Sequence, residues 1–361
     1  LATVDEVLAA LGKVTDPELG RDIVSLRMVE GVSVQGGAVS FTLNLTTPAC
    51  PLRTRIEQGA REEVSRLPGV TEVRMKTTAN VTATRDYAGS DLLKGVKNII
   101  AVASGKGGVG KSTIAVNLAA ALAASGAKVG ILDADIYGPN IPHMMGVKGD
   151  AELRGGLIVP PVAFGVKVAS LGFFYKDETP LIWRGPLVAG AVRQLLTQVD
   201  WGELDYLVVD LPPGTGDASL TLAQTVPLGG VVIVTTPQEA ALNIASKALA
   251  MFRRLNVPVI GVVENMSYFV CPHCGERSYI FSSGGGRRIA AQLNTDFLGE
   301  IPLALAVREQ SDLGAPVIAS RPDSPEAEVF KEFAFRVAGL LSIAAYQRIE
   351  KESAAGGATS A

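Results

Sequence analysis

The chain has 361 residues with 33 Lys+Arg against 36 Asp+Glu, so its net charge of −3 offers no global basic field for nucleic acid. It is 47% hydrophobic but only 6% aromatic and holds 39 glycines, a balance that suits an α/β protein with close helix–sheet packing. Its 3 cysteines and 2 histidines exclude a disulfide scaffold and any site built from many histidines.

The opening LATVDEVLAALG has no basic-then-apolar leader pattern, and VDEVLAALGKV reads as an amphipathic helix. No apolar run is long enough to span a bilayer, so a cytoplasmic protein without a membrane partner is expected. GAVSFTLNLT alternates like a half-buried strand, and CPLRTRIEQGAREEVSRL follows as a helix with Leu52, Ile56, Ala60, Val64 and Leu67 at helical spacing. VTEVRMKT closes this small α+β module, residues 1–85, and residues 86–97 read as a linker. From Asn98 the texture changes. NIIAVAS, AKVGILDAD, YLVVDLP, GGVVIVTTP and VPVIGVVEN are short aliphatic runs that end in polar residues and alternate with helices. One of those helices, EAALNIASKALAMFRRL, puts Leu242, Ala245, Leu249 and Phe252 on one face. This alternation predicts a mostly parallel sheet covered on both faces over residues 98–345, with ligands at the C-terminal strand ends. The small polar end, residues 346–361, is expected to be disordered.

Gly105-Lys106-Gly107-Gly108-Val109-Gly110-Lys111-Ser112 fits G-x-x-x-x-G-K-[ST] and lies between a predicted strand and a predicted helix. Glycines there let backbone N–H groups turn toward phosphate oxygens, and the helix N-terminus adds favourable dipole charge. Lys111 then reaches the β- and γ-phosphates of ATP, and Ser112 ligates Mg²⁺. Asp210 ends the run LDYLVVD, where such folds place a carboxylate beside the Mg²⁺ ion. Asp217 follows in LPPGTGD, and Asp133 and Asp135 end KVGILDAD. A single strand-end Asp is usually a cap or a surface residue, but three such segments around one phosphate loop favour a nucleotide site.

YFVCPHCGERSYIF carries Cys271-Pro272-His273-Cys274-Gly275, a compact metal-binding turn. Zinc and iron–sulfur clusters take four protein ligands, and the remaining cysteine, Cys50, is far away in sequence. Two thiols per chain predict a site shared across a two-fold axis, holding a bridging [4Fe–4S] cluster or a zinc; thiolates suit both. Redox use is disfavoured because the pair does not open a helix. Cys50 itself reads as a packing residue, since unpaired cysteines are among the most buried residue types.

The loop, with its second lysine Lys106, resembles the deviant Walker A of the MinD/ParA/ArsA/nitrogenase-iron-protein ATPases. Together with DADIYGPNIPHMMG, DLPPGTGD, ENMSYFVCPHCG and IPL, it resembles the Mrp/ApbC family of iron–sulfur cluster carrier ATPases. DPEL and TTPACP resemble a MIP18-like domain, a shorter match. The resemblance implies a P-loop NTPase fold and a homodimer that hydrolyses ATP slowly. It also implies a [4Fe–4S] cluster received from cluster assembly machinery and passed to apo iron–sulfur proteins. Lys106 would reach the partner's nucleotide across the dimer. Gly107, Gly108, Val109, Gly110, Lys111, Ser112 and Thr113 would line the phosphates. Asp135 matches the switch I Asp that orients attacking water, and Asp217 the switch II Asp. Asn265 matches a position that reads adenine, although on physics alone a turn residue is an equal reading. Cys271 and Cys274 map onto the cluster ligands, and His143 is taken as structural. The rival readings are a MinD/ParA-like positioning ATPase, for which no basic amphipathic tail or basic cluster is seen, and a zinc-clamped dimeric scaffold.

Overall fold

The structure, a computed structural model, describes residues 2–85, 93, 95–135, 138–148, 152–173 and 185–357. Its residues divide into two compact units, Leu1–Thr82 with Ala338–Ala361, and Ala83–Val337.

In the first unit, helix α1 (Val4–Leu11) starts at a capping box. Thr3 Oγ1 accepts from the Glu6 N–H at 3.2 Å and Glu6 Oε2 accepts from the Thr3 N–H at 2.8 Å. Strands β1 (Val29–Gln35) and β2 (Ala38–Leu45) pair antiparallel. Helix α2 (Arg53–Ser65) then crosses over to β3 (Glu72–Ala79), which runs parallel to β2 in unbroken register from Ala38↔Glu72 to Leu45↔Ala79. The alternation read in β2 is real: Val39, Phe41, Leu43 and Leu45 are buried, facing Ile56, Ala60 and Val64 of α2. Leu52 and Leu67 are only partly buried at the ends of that stripe. Strand β1 was not foreseen; Gly31 and an uneven burial pattern blur its period.

In the second unit, β4 (Val96–Ser104) leads through the phosphate loop into α3 (Lys111–Ala124) and β5 (Val129–Asp133). The short β6 (Val162–Ala163) turns back into β7 (Val166–Ser170). Helix α4 (Gly185–Gln198), β8 (Leu204–Asp210), α5 (Asp217–Thr225), β9 (Gly230–Thr235), α6 (Glu239–Arg254) and β10 (Val259–Glu264) follow. Helix α7 (Gly285–Gln292), β11 (Phe297–Glu300) and α8 (Leu305–Asp312) complete it. The eight strands are ordered β6-β7-β5-β8-β4-β9-β10-β11, all parallel except β6 against β7. The five central strands are nearly continuous buried aliphatic runs, as a sheet covered on both faces requires. The predicted face of α6 is confirmed, with Leu242, Ala245, Leu249 and Phe252 all buried. The chain leaves β4 toward β5 on one side and returns at β9 on the other. The crevice beyond the end of β4 is therefore where such a sheet binds its ligand.

The expected boundaries differ at two places. Residues 86–92 and 94 of the expected linker lie outside the described residues, while Val96 already belongs to β4. At the other end, helix α9 (Pro325–Gly357) runs through most of the stretch read as a disordered tail, and residues 358–361 lie outside the described residues. Glu, Lys and Ala are strong helix formers even where they bury little. Within the first unit this helix is also held from the side: Arg21 donates to Tyr346 Oη at 2.6 Å and to Glu350 Oε1 at 2.7 Å. Among the described residues no helix is long and apolar enough to cross a membrane.

Candidate functional site

The phosphate loop closes over the end of β4. Ser104 Oγ donates to the Lys106 carbonyl at 2.9 Å, fixing the first turn. A Cβ added at Gly107 or Gly108 would meet nothing within 4 Å, so the loop backbone is open to a cavity of about 490 Å³. Gly110, at φ +79, is a different case. A Cβ there would stand 2.2 Å from Asn265 Nδ2, so this position requires glycine both for its conformation and for its neighbour. Asn265 Nδ2 donates to the Val109 carbonyl at 2.8 Å, and Asn265 itself lines the cavity.

Lys111, the first residue of α3, is buried. Its Nζ stands 2.6 Å from Asp210 Oδ1 and 3.6 Å from Asp135 Oδ2, and Ser112 Oγ donates to Asp210 Oδ2 at 2.6 Å. The side chains predicted from three separate segments therefore meet. Asp133, fully buried behind them, accepts from the N–H groups of Asp135 and Ile141, each at 3.1 Å, and from Ser170 Oγ at 3.2 Å. Burial, and then the charge of Asp210, push the Asp133 carboxyl up to about 7. Burial likewise raises Asp210, against the opposing pull of Lys111. One lysine among three carboxylates leaves a surplus of negative charge. Asp135 Oδ1 is buried without a hydrogen-bond partner, beside Lys111 and within reach of the cavity. Oxygen donors with an unsatisfied carboxylate are the set a hard divalent cation takes, so the residues fit Mg²⁺ with a polyphosphate.

Not every predicted residue joins this cluster. Lys106 lines the cavity, and its Nζ donates to Oε1 of Gln238, the N-cap residue just before α6, at 3.1 Å. Asp217 is exposed at the first turn of α5, and the cavity wall on that loop is formed by Pro213. His143, read as structural, is exposed and lines the cavity with Asn140. Ile136 and Tyr137, between Asp135 and that wall, lie outside the described residues. The far wall was missed: Pro302, Leu303, Ala304 and Val307 give an apolar surface, with Arg308 at its rim. Its only sequence signal was the IPL run before an unforeseen helix.

The cysteine pair sits at the tip of a short hairpin, Phe269–Val270 against Arg277–Ser278. The Cys271 N–H donates to the Glu276 carbonyl at 3.0 Å, and the Gly275 N–H to the Cys271 carbonyl at 2.9 Å. Residues 272–280 are exposed, and the Arg277 guanidinium lies over the Tyr268 ring, 4.3 Å from its centroid. Hydrogen bonds from the backbone of Cys274 and His273 hold the Cys271 thiol below its usual range, favouring the thiolate that binds metals. Among the described residues no group of three or more His, Cys, Asp or Glu could hold a metal ion, so each chain offers two thiols and no complete site. Cys50 is otherwise disposed: it packs with Ile56 and Leu45 in the core of the first unit, where burial pushes its thiol up to about 11.

A family model described as the NUBPL iron-transfer P-loop NTPase matches residues 95–338. The chain belongs to this family. A second model, an iron-sulfur cluster assembly protein, matches residues 4–75. Over 351 residues the chain is 49% identical to a Synechocystis protein named iron-sulfur cluster carrier protein, covering 96% of this chain and 99% of the relative. An Escherichia coli K12 protein of the same name is 41% identical, with 93% of this chain and 91% of the relative covered. The mouse iron-sulfur cluster transfer protein NUBPL is 46% identical over 86% of this chain and 95% of its own. Among solved structures, a nucleotide-binding protein from Archaeoglobus fulgidus in complex with ADP is 44% identical, with a TM-score of 0.57 over 63% of this chain and 92% of that one. The cell division ATPase MinD of Pyrococcus furiosus, 21% identical with a TM-score of 0.51 over 66% of this chain and 98% of that one, shares the fold.

Proposed function

We propose that this chain is an ATP-dependent carrier that holds a [4Fe–4S] cluster between two copies of itself and hands it to apo iron–sulfur proteins. The observation that carries the reading is the exposed half-site. Two thiols, one of them biased toward thiolate, project from a hairpin tip, and among the described residues no third ligand joins them. A two-fold axis through the tip completes four thiolates, the number such a cluster takes. The family membership and the carrier names of its relatives support the same reading.

ATP with Mg²⁺ fits the other site. The loop N–H groups and Lys111 bind the phosphates, and Ser112 and Asp210 hold the cation in place. Mg²⁺ supplies charge neutralisation on the phosphates when bound. Asp135, with its free oxygen turned inward, positions the attacking water. Lys106 exchanges Gln238 for the partner subunit's nucleotide, adding positive charge where phosphoryl transfer needs it. Asp217, exposed at the start of α5, answers to the state of the nucleotide, and Asn265 contacts the base while holding Val109. Hydrolysis then acts as a timer on loading or release of the cargo. Three free cysteines suit a reducing, cytoplasmic compartment.

The test is iron, acid-labile sulfide and zinc per dimer after anaerobic reconstitution of the full chain and of Cys271→Ala. About four iron and four sulfide per dimer, lost in the variant, are expected. Tight zinc without sulfide would replace the carrier with a zinc-clamped dimer.

A further inference from the structure

Between the end of β10 and the start of α7 the chain makes the excursion that carries Cys271 and Cys274. Glu264, the last residue of β10, is fully buried. Its Oε1 accepts from Ser267 Oγ at 2.6 Å, and its Oε2 accepts from the Gly286 N–H in the first turn of α7. One carboxylate therefore grips the excursion at both ends. The Gly284-Gly285-Gly286 run has its explanation here. A Cβ on Gly286 would stand 2.9 Å from Glu264 Cβ, and one on Gly285 would stand 2.5 Å from Leu242 Cδ1, so only glycines let α7 close on the carboxylate. The positive end of that helix also compensates the buried charge.

The next residue faces the other way. Asn265 holds the Val109 carbonyl of the phosphate loop, as described, and its own N–H donates to the Thr235 carbonyl at 2.8 Å. Met266 follows at φ +54, a left-handed conformation that is uncommon outside glycine. It turns Ser267 back onto Glu264 while Met266 itself lines the nucleotide cavity. The excursion's root is also bonded to the far wall of that cavity. The Ser267 N–H donates to the Ile301 carbonyl at 3.0 Å, and the Leu303 N–H donates to the Tyr268 carbonyl at 2.7 Å. Leu303 lines the cavity directly. Three residues that line the nucleotide cavity, Asn265, Met266 and Leu303, are thus each within a bond or two of the clamp.

We propose that Glu264 is a positioning residue: it transmits the state of the nucleotide cavity to the cysteine hairpin by holding Ser267 and Gly286 in one rigid joint with Asn265. This rests on the reading that nucleotide gates the cargo. A ligand that pulls Asn265 or Leu303 moves β10's end, and the shared carboxylate makes both ends of the excursion follow together. Without the clamp, the two ends answer separately and the tip no longer registers the nucleotide.

The experiment is hydrogen–deuterium exchange of residues 269–282, with the alkylation rate of Cys274 alongside, on the full chain saturated with Mg-ADP or with a non-hydrolysable ATP analogue. In the wild type the two nucleotides should differ by about fivefold or more in hairpin exchange, the lower range of ordinary coupling. In Ser267→Ala, which leaves the Gly286 bond intact, and in Glu264→Ala the difference should fall below about twofold, the level of uncoupled sites. Glu264→Gln should keep the response, because its amide oxygen can accept from Gly286 while its NH₂ donates to Ser267 Oγ. A merely structural role would leave the nucleotide difference unmoved. If Ser267→Ala responds as fully as the wild type, the clamp is overturned and the gating reading stands. If the wild-type hairpin is indifferent to the nucleotide, both fall together.

Discussion

Asp133→Asn should make the nucleotide-binding unit less sensitive to alkaline pH. Asp133 is fully buried behind the Lys111–Asp210 pair, and its carboxyl rises from an ordinary 3.8 to about 7. A folded-state pKa above the unfolded value means that the native state holds its proton longer. The associated stability is complete below about pH 4 and is lost as pH rises through about 7. The rise corresponds to about 4 kcal/mol in all, more than half of it lost between pH 5 and pH 8. Asparagine never ionises, so it loses this slope. It also loses an acceptor: the carboxyl takes bonds from Asp135, Ile141 and Ser170 on two oxygens, its O–H oxygen keeping a lone pair even when protonated, whereas an amide oxygen can serve one side only. That costs about 1–3 kcal/mol at every pH. The variant should therefore be the less stable protein at pH 5 and should draw level with or pass the wild type by pH 8. Urea unfolding followed by tryptophan fluorescence reports the effect, because the buried Trp201 lies within the Ala83–Val337 unit. Parallel pH–stability curves for the two proteins would refute the reasoning, since every other titrating group is common to both.

Two further outcomes are expected. Gly110→Ala should cost about 1–2 kcal/mol in left-handed strain alone and should also expel Asn265 from its seat on Val109. Calorimetry should then show ADP binding weakened by more than about tenfold, as 1.4 kcal/mol requires. In thiol alkylation at pH 8, Cys271 and Cys274 should react first. Cys50, raised to about 11, should show about one thousandth of its molecules as thiolate and react only as its unit opens.

The parts of this structure that were readable in sequence are those whose cause is local. The central strands announce themselves because a sheet covered on both faces wants unbroken aliphatic runs. The phosphate loop does so because few sequences besides glycine-rich ones let a backbone wrap a phosphate. Asp210 and Asp135 were found by position at strand ends, and the structure brings both to Lys111. The edge strands Val162–Ala163 and Phe297–Glu300 were not, because an edge tolerates short and half-polar segments. The far wall of the cavity is contributed by residues nearly two hundred positions after the loop, and no local pattern encodes that proximity. Asn265 shows the same limit from the other side. Its residue type permits a turn or a base contact, whereas its bond to Val109 is visible only once the two segments are side by side.

The composition of the first unit bears on how the chain is made. Its members are residues 1–82 and the last part of α9, with Arg21 reaching Tyr346 and Glu350 and Gly339 allowing the helix to press on Glu18, where a Cβ would stand only 2.7 Å away. On the ribosome Arg21 and Tyr346 emerge 325 residues apart. At about 5–20 residues per second, Arg21 waits on the order of half a minute for its helix while the whole nucleotide-binding unit is produced and can fold. Until then the small sheet and its two helices stand without their last layer. A premature stop in α9 between Val337 and Tyr346 would thus be felt first in residues 1–82, as proteolytic sensitivity, while the nucleotide site was left formed.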